Sequence, residues 1–89
     1  MDLKEIRAEI DSIDRELVNL FLKRMELSAR VAAYKIENGI PVLNATREEE
    51  IIAIVRGANE HFASYSEELY RKIFELSREY QQKLMQTKD

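Results

Sequence analysis

The stretch LKEIRAEIDSIDRELVNLFLKRMELSARVAAY, residues 3–34, decides the fold of this chain. Apolar residues recur along it in alternating steps of three and four, which is the repeat of one helix face that packs against a neighbour. The spacing predicts one long helix from Leu3 to Asn38, with Asp2 as its N-terminal cap and Gly39 as its stop. The repeat, called the seam below, consists of Leu3, Ile6, Ile10, Ile13, Leu17, Leu20, Arg24, Leu27, Val31 and Tyr34.

Two shorter helices are predicted after the long one. Thr46 and Glu49 have the spacing of a capping box, so Thr46 is expected to cap the second helix, which carries an apolar stripe as far as Phe62. The second break is expected at residues 63–66, with a serine as the cap of the third helix. The polar end of the chain, residues 85–89, is expected to fray.

Length and composition favour an all-helical fold. A chain of 89 residues forms at most one domain, here residues 1–89, and buries only roughly 60 % of its unfolded surface, so one copy is marginally stable. The composition is 45 % hydrophobic and 35 % charged with two Gly and one Pro, which is typical of long helices. A three-helix protomer leaves much of the long seam uncovered, and pairing with a second copy is the simplest way to cover it.

The same composition excludes several classes of protein. The net charge is −3 and the basic residues are scattered among acids, so we expect no nucleic-acid partner. The chain has no Cys and a single histidine, His61, so we expect no disulfide, no metal site and no cofactor. The N-terminus is charged, and no apolar run approaches about 18 residues, so we expect a cytoplasmic protein with no signal peptide and no membrane span.

Arg24 occupies a seam position that should be apolar. On one interpretation, its stem packs on the seam while the guanidinium reaches solvent or a nearby Glu. On the other, an anion from outside neutralises it, because an unpaired buried charge costs several kcal/mol. Lys35 lies eleven residues later and faces within roughly 20° of Arg24, so the two cations could hold a small dianion between them.

Further polar residues occupy positions that are predicted to face inward. Arg47 and Glu48 lie in the first turn of the second helix, and Ser77 and Gln81 lie four residues apart on the apolar face of the third. A local hydrogen-bond network is the alternative explanation for Ser77. Arg7 is about 25 Å from Arg24 along the helix, so it is either a surface flank of the seam or a contribution from the partner in an antiparallel pair.

Chemical groups that the chain lacks narrow the function further. The sequence offers no Cys nucleophile, no histidine beside a serine, no glycine-rich phosphate loop and no cluster of metal ligands. The remaining cations, carboxylate, amide and hydroxyl can bind and polarise a dianionic small molecule. They favour electrostatic and conformational catalysis without a covalent intermediate.

Short motifs recur along nearly the whole chain. They are IR..ID.ID.EL at residues 6–17, R..L at 24–27, K...GIPV at 35–42 and RE at 47–48. Together, in this order and spacing, they resemble the all-helical class of chorismate mutases. The resemblance implies an intertwined homodimer with two active sites composed of residues from both chains. It also implies the Claisen rearrangement of chorismate to prephenate, which requires no acid, base or nucleophile.

The resemblance also implies roles for the cations. Arg24 and the partner subunit's Arg7 would clamp the two carboxylates of chorismate with bidentate guanidinium geometry. Lys35 would contact a carboxylate and the ether oxygen, and Gln81 would donate to that oxygen from the other side.

The remaining roles concern the ring of the substrate. Glu48 would accept a hydrogen bond from the ring hydroxyl, helped by the backbone near Arg47, and Ser77 would touch the ring carboxylate. Asn44 stands where the family often has Asp, so its contact with the hydroxyl or with Arg47 is a departure from the pattern.

Three alternatives accompany this interpretation. Aligning the third helix on Phe74 would assign the site to Gln81 and Met85 instead of Ser77 and Gln81, but a Met side chain cannot donate to an ether oxygen. An isochorismate–pyruvate lyase would share the fold and the cationic clamp. A non-catalytic helical dimerisation or regulatory module would use Arg24 and Lys35 in structural ion pairs.

Overall fold

The computed structural model describes residues 1–86, and it confirms the predicted all-helical fold with a long first helix. Helix α1 spans Leu3–Asn38, α2 spans Ala45–Ala58, and α3 spans Ala63–Gln86. A single 3-10 turn, Glu60–Phe62, leads from α2 into α3. Within residues 1–86, no helix combines the length and the apolar character that a membrane span requires.

Both predicted ends of α1 are confirmed. The Asp2 side chain accepts a hydrogen bond from the Glu5 backbone N–H at 2.9 Å. At the other end, Gly39 adopts a left-handed conformation with φ 62°, which a side chain would strain, and the N–H of Ile40 donates to the carbonyl of Lys35 at 2.9 Å. The helix therefore stops where the chain must turn toward α2.

The predicted cap of α2 is wrong, because the observed cap lies two residues earlier than Thr46. The helix begins at Ala45, and the Asn44 side chain accepts a hydrogen bond from the Arg47 N–H at 3.1 Å. Thr46 already lies inside the first turn. Asparagine caps a helix at least as well as threonine, so the residue that comes first in the chain takes the position.

The predicted break before α3 is also misplaced. Asn59 caps the 3-10 turn by accepting from the Phe62 N–H at 3.3 Å, so Phe62 belongs to that turn and not to α2. Residues 63–66 are already helical and need no serine cap. Of the end that was predicted to fray, residues 85–86 lie in α3, and the rest falls outside the described residues.

Helix α3 packs against both α1 and α2, whereas α1 and α2 do not pack directly on each other in the described part of the chain. The molecule is elongated and thin, 55 × 26 × 14 Å. Among the described residues, the buried apolar side chains are Ala32, Val42, Ile52 and Phe74. A gap therefore remains between α1 and α2, with α3 as its floor.

Candidate active site

The gap between α1 and α2 forms a cavity of about 340 Å³. Every predicted site residue except Arg7 lines it, namely Arg24, Lys35, Asn44, Arg47, Glu48, Ser77 and Gln81. Ser28, Phe74 and Arg78 line it as well, and the sequence analysis assigned none of them to the site. The structure therefore gathers residues from all three helices and from the connector around one space.

Two cations in this cavity have no carboxylate partner among the described residues. Arg24 lies over the Phe74 ring, with its guanidinium carbon 5.5 Å from the ring centroid. Lys35 Nζ donates to the Val42 backbone carbonyl at 2.7 Å. A ring face and a neutral carbonyl balance a full positive charge only in part. An anion in the cavity would supply the remaining compensation.

Glu48 and Arg78 form an ion pair across the cavity wall. Arg78 Nη1 donates to both carboxylate oxygens of Glu48, joining the start of α2 to α3. Both side chains are partly buried, with 33 % of Arg78 and 19 % of Glu48 exposed. The sequence missed Arg78 because its partner is 30 residues away and no helical pattern links the two.

A chain of hydrogen bonds fixes the polar residues on the cavity floor. Gln81 Nε2 donates to Ser77 Oγ at 3.2 Å, and Ser77 Oγ lies 2.6 Å from Ser28 Oγ. Ser28 donates to the Arg24 carbonyl at 3.1 Å, so its single proton is used and Ser77 must donate to it. The local network that was the alternative explanation for Ser77 therefore exists, and it runs along the cavity.

Gln81 is the residue in this network that retains hydrogen-bonding capacity. It is 6 % exposed, and its Oε1 has no hydrogen-bond partner among the described residues. Ser77 uses one of the two Nε2 hydrogens. Buried amide groups are normally satisfied, so an unsatisfied one at a cavity is typical of a position that contacts a ligand.

The other predicted site residues are held less firmly. The side-chain oxygen of Asn44 caps α2 by accepting a hydrogen bond from the Arg47 N–H. Arg47 is exposed and makes only a 3.9 Å contact with Glu50. Arg7 lies on the exposed first half of α1, outside the cavity, so one chain does not bring it to Arg24. Met85, the residue of the alternative third-helix alignment, does not line the cavity either.

The charge of the cavity is strongly positive. Four cationic side chains and one carboxylate line it, and the lining residues include no histidine and no cysteine. Such a set can bind a dianion, orient it and stabilise negative charge that develops on it. It does not supply a Cys nucleophile or a serine activated by a histidine.

Exposed ion pairs outside the cavity also tie α2 to α3. Arg71 donates to Glu67 of its own helix at 2.8 Å and to Glu49 of α2 at 3.1 Å, and Arg56 of α2 donates to Glu67 at 2.6 Å. Hydrogen bonds from Arg71 and Arg56 hold the pKa of Glu67 below its ordinary value. The hydrogen bonds that Arg71 donates to Glu49 and Glu67 raise the pKa of Arg71.

Comparisons with known proteins find relatives of this chain. A protein named chorismate mutase from Methanocaldococcus jannaschii is 36 % identical over 75 residues, which cover 83 % of this chain and 74 % of that protein. The T-protein of Haemophilus influenzae is 50 % identical over 46 residues, covering 52 % of this chain and 12 % of the T-protein. The 4-amino-4-deoxychorismate mutase of Streptomyces venezuelae is 35 % identical over 46 residues, covering 52 % of this chain and 45 % of that protein.

The extent of these matches differs. The chain spans less than half the length of the T-protein and of the Streptomyces protein, and no solved structure matches it significantly. The family model for chorismate mutase type II, in contrast, matches residues 6–82, which include all of α2, most of α1 and α3, and every predicted site residue. The chain belongs to the chorismate mutase type II family.

Proposed function

We propose that the protein is a chorismate mutase that rearranges chorismate to prephenate in the cavity between α1 and α2. The observation that carries the proposal is the pair of cations, Arg24 and Lys35, that line one cavity without a carboxylate partner among the described residues. Chorismate carries two carboxylates, and the family is named for this reaction. The substrate would be the counter-ion that makes a cation at a seam position acceptable.

The chemistry of the rearrangement suits the lining residues. One C–O bond breaks as one C–C bond forms within a single molecule, so no proton, nucleophile or cofactor takes part. The protein has to hold the chair-like conformer and stabilise the negative charge that grows on the ether oxygen. Lys35 has three N–H donors and Val42 uses one, so the others remain for a carboxylate and the ether oxygen.

Gln81 is proposed to donate to the ether oxygen from the opposite side. Its second Nε2 hydrogen is available for this, since Ser77 takes only the first. Rotating the amide by half a turn would instead present both hydrogens, and the serine hydroxyls can reverse their bonds to donate to Oε1. In either arrangement, Ser77 supports Gln81 and lies at the cavity surface, where it can contact the ring carboxylate.

Glu48 is proposed to accept from the ring hydroxyl. It is the one carboxylate among the lining residues, and a substrate carboxylate has no proton to donate to it. The hydroxyl is the one O–H donor of chorismate dianion, so the favourable orientation turns it toward Glu48. Asn44 and Arg47 then border the same end of the cavity.

A homodimer is part of the proposal. Residues 1–20 are exposed along their whole length, including apolar seam residues such as Leu17 at 55 % and Leu20 at 61 %. An antiparallel second copy would cover this surface and bring the partner subunit's Arg7 toward Arg24, completing the clamp on the two carboxylates. We also propose a cytoplasmic location, because the activity is biosynthetic and the sequence has no cysteine.

The experiment is a proton NMR time course of chorismate with purified protein, without added metal or cofactor. The proposal predicts loss of chorismate signals and growth of prephenate signals. Formation of salicylate and pyruvate from isochorismate, with no prephenate from chorismate, would favour the lyase. No conversion of either compound would leave the non-catalytic helical module as the better description.

A further inference from the structure

We infer that the ion pair between Arg78 and Glu48 makes this site select a neutral ring hydroxyl over a positively charged ring ammonium group, and that Arg78 is the specificity-determining residue. The inference rests on the proposed function and deepens it. The compound to be rejected is the analogue of chorismate that carries an amino group in place of the ring hydroxyl.

The geometry leaves Glu48 able to accept a hydrogen bond but not to act as a free negative charge. Both of its oxygens already accept from Arg78 Nη1, and both residues line the cavity. A carboxylate has about four lone-pair sites, so sites remain for one more donor. The pair as a whole carries no net charge, and it presents to the substrate a neutral acceptor.

A hydroxyl and an ammonium group respond differently to this acceptor. The hydroxyl needs only a lone pair, which Glu48 still provides. An aliphatic amine is protonated at neutral pH, so it would bring a second positive charge next to the Arg78 guanidinium. With both side chains at least two-thirds buried, the repulsion is screened less than it would be in bulk water. An unpaired Glu48 would instead attract the ammonium group.

The alternative is that the pair only ties α2 to α3. Arg71 provides a matched control for that role, because it also joins α3 to α2 through Glu49, at 3.1 Å. It lies seven residues before Arg78, about two turns earlier on nearly the same side of α3, and it does not line the cavity. Removing Arg71 deletes one positive charge and one tie between the helices without changing the cavity.

The test compares kcat/KM for chorismate and for the amino analogue in the wild-type protein, Arg78→Met, Arg78→Lys and Arg71→Met. The wild-type protein is expected to prefer chorismate. Arg78→Met is expected to move the ratio of the two values toward the amino analogue by at least about tenfold, while Arg78→Lys restores most of the preference. Arg71→Met is expected to leave the ratio unchanged.

The outcomes separate this inference from the proposed function. If both substrates lose the same factor in Arg78→Met, or if Arg71→Met moves the ratio equally, the pair is only structural and the inference is overturned. If the wild-type protein does not convert chorismate, the proposed function itself fails. Arg78→Gln makes the same charge change with a hydrogen-bonding side chain, and it replaces Arg78→Met if circular dichroism shows that Met prevents folding.

Discussion

The two halves of α1 differ in what covers them, although the seam runs through both with unchanged spacing. Residues 3–20 are all exposed, and α3 borders a groove with the last of them, at Leu17, Val18 and Leu20. In residues 21–38, Ser28 and Ala32 are buried against the rest of the chain, and Arg24 and Lys35 face the cavity. One half therefore carries an uncovered apolar surface, and the other half builds the site.

Helix α1 therefore contacts its own chain with one set of residues and is proposed to contact its partner with another. Two small side chains of α1, Ser28 and Ala32, are buried one residue beyond the seam positions Leu27 and Val31, and Ser28 contacts Ser77 of α3. The seam itself stays largely exposed, with Leu27 at 55 % and Val31 at 44 %. Small residues permit close approach within the protomer, while large seam residues remain for an occupant from outside.

The largest expected effect follows from a charge placed in the uncovered half. Leu17→Lys should weaken self-association by at least about a hundredfold, because an unpaired ammonium in an apolar interface costs several kcal/mol. Turnover should fall with it, since each site would lose the partner subunit's Arg7. Sedimentation equilibrium and chorismate turnover measure the two effects.

Ala8→Lys is the control for Leu17→Lys. Ala8 lies nine residues earlier, or two and a half turns, so it is on the opposite side of α1 and should leave the dimer intact. A Leu17→Lys protein that associates and turns over like the wild type would contradict the proposed pairing through the seam.

The next effect concerns the half that builds the site. Arg24→Met should lower kcat/KM for chorismate by at least about a hundredfold, because a charged donor to the substrate is lost. Thermal stability should be unchanged or higher, since no carboxylate among the described residues pairs with Arg24. Arg30→Met, an exposed position outside the cavity, serves as the matched control. A large loss of stability in Arg24→Met would instead indicate a structural cation.

A smaller effect is expected when one serine in each half of α1 is replaced by alanine. Ser28→Ala removes the acceptor of the Ser77 hydroxyl and loosens Gln81, so kcat/KM should fall about threefold to tenfold, the equivalent of one hydrogen bond. Ser12→Ala lies in the exposed half of α1 and should change neither activity nor stability measurably. Equal effects in the two variants would mean that the network does not position Gln81.

The smallest effect is expected for the exposed ion pairs between α2 and α3, the helix that packs against α1. Because Arg71 and Arg56 lower the pKa of Glu67 in the folded protein, its contribution to stability is present above the ordinary carboxyl pKa of 4.5 and is lost as the pH falls through the lowered value. The Tm difference between the wild type and Glu67→Gln should therefore be small near pH 7 and vanish in acid. A difference that grows on acidification would contradict the assigned pairing.

The helices and the unusual cations were predictable from the sequence, because each depends on residues within one turn or one periodic face. Arg24 was predicted as a site residue because its charge interrupts the apolar repeat of α1. Lys35 was predicted because it lies on the same face of α1 as Arg24. The cap of α2 and the break before α3 were misplaced because Asn44 caps α2 and Asn59 caps the 3-10 turn, and the local sequence does not decide between these residues and the nearby Thr and Ser.

Residues that depend on tertiary contacts were not predictable. Ser28 contributes through Ser77, 49 residues away, and Arg78 contributes through Glu48, 30 residues away. Both looked like ordinary helical residues in a pattern of period 3.6. Only the packing of α3 against α1 and α2 gives them a role.

The relation between the two halves of α1 is tested by mixing two inactive variants, Arg7→Met and Arg24→Met. In a mixed dimer, one site combines Arg24 of the Arg7→Met chain with Arg7 of the Arg24→Met chain and is intact. The other site carries both substitutions, so half of the sites of a mixed dimer are active. Random exchange at equal concentrations should restore about a quarter of wild-type chorismate turnover. Turnover that stays at the level of the separate variants after exchange would contradict a site shared between subunits.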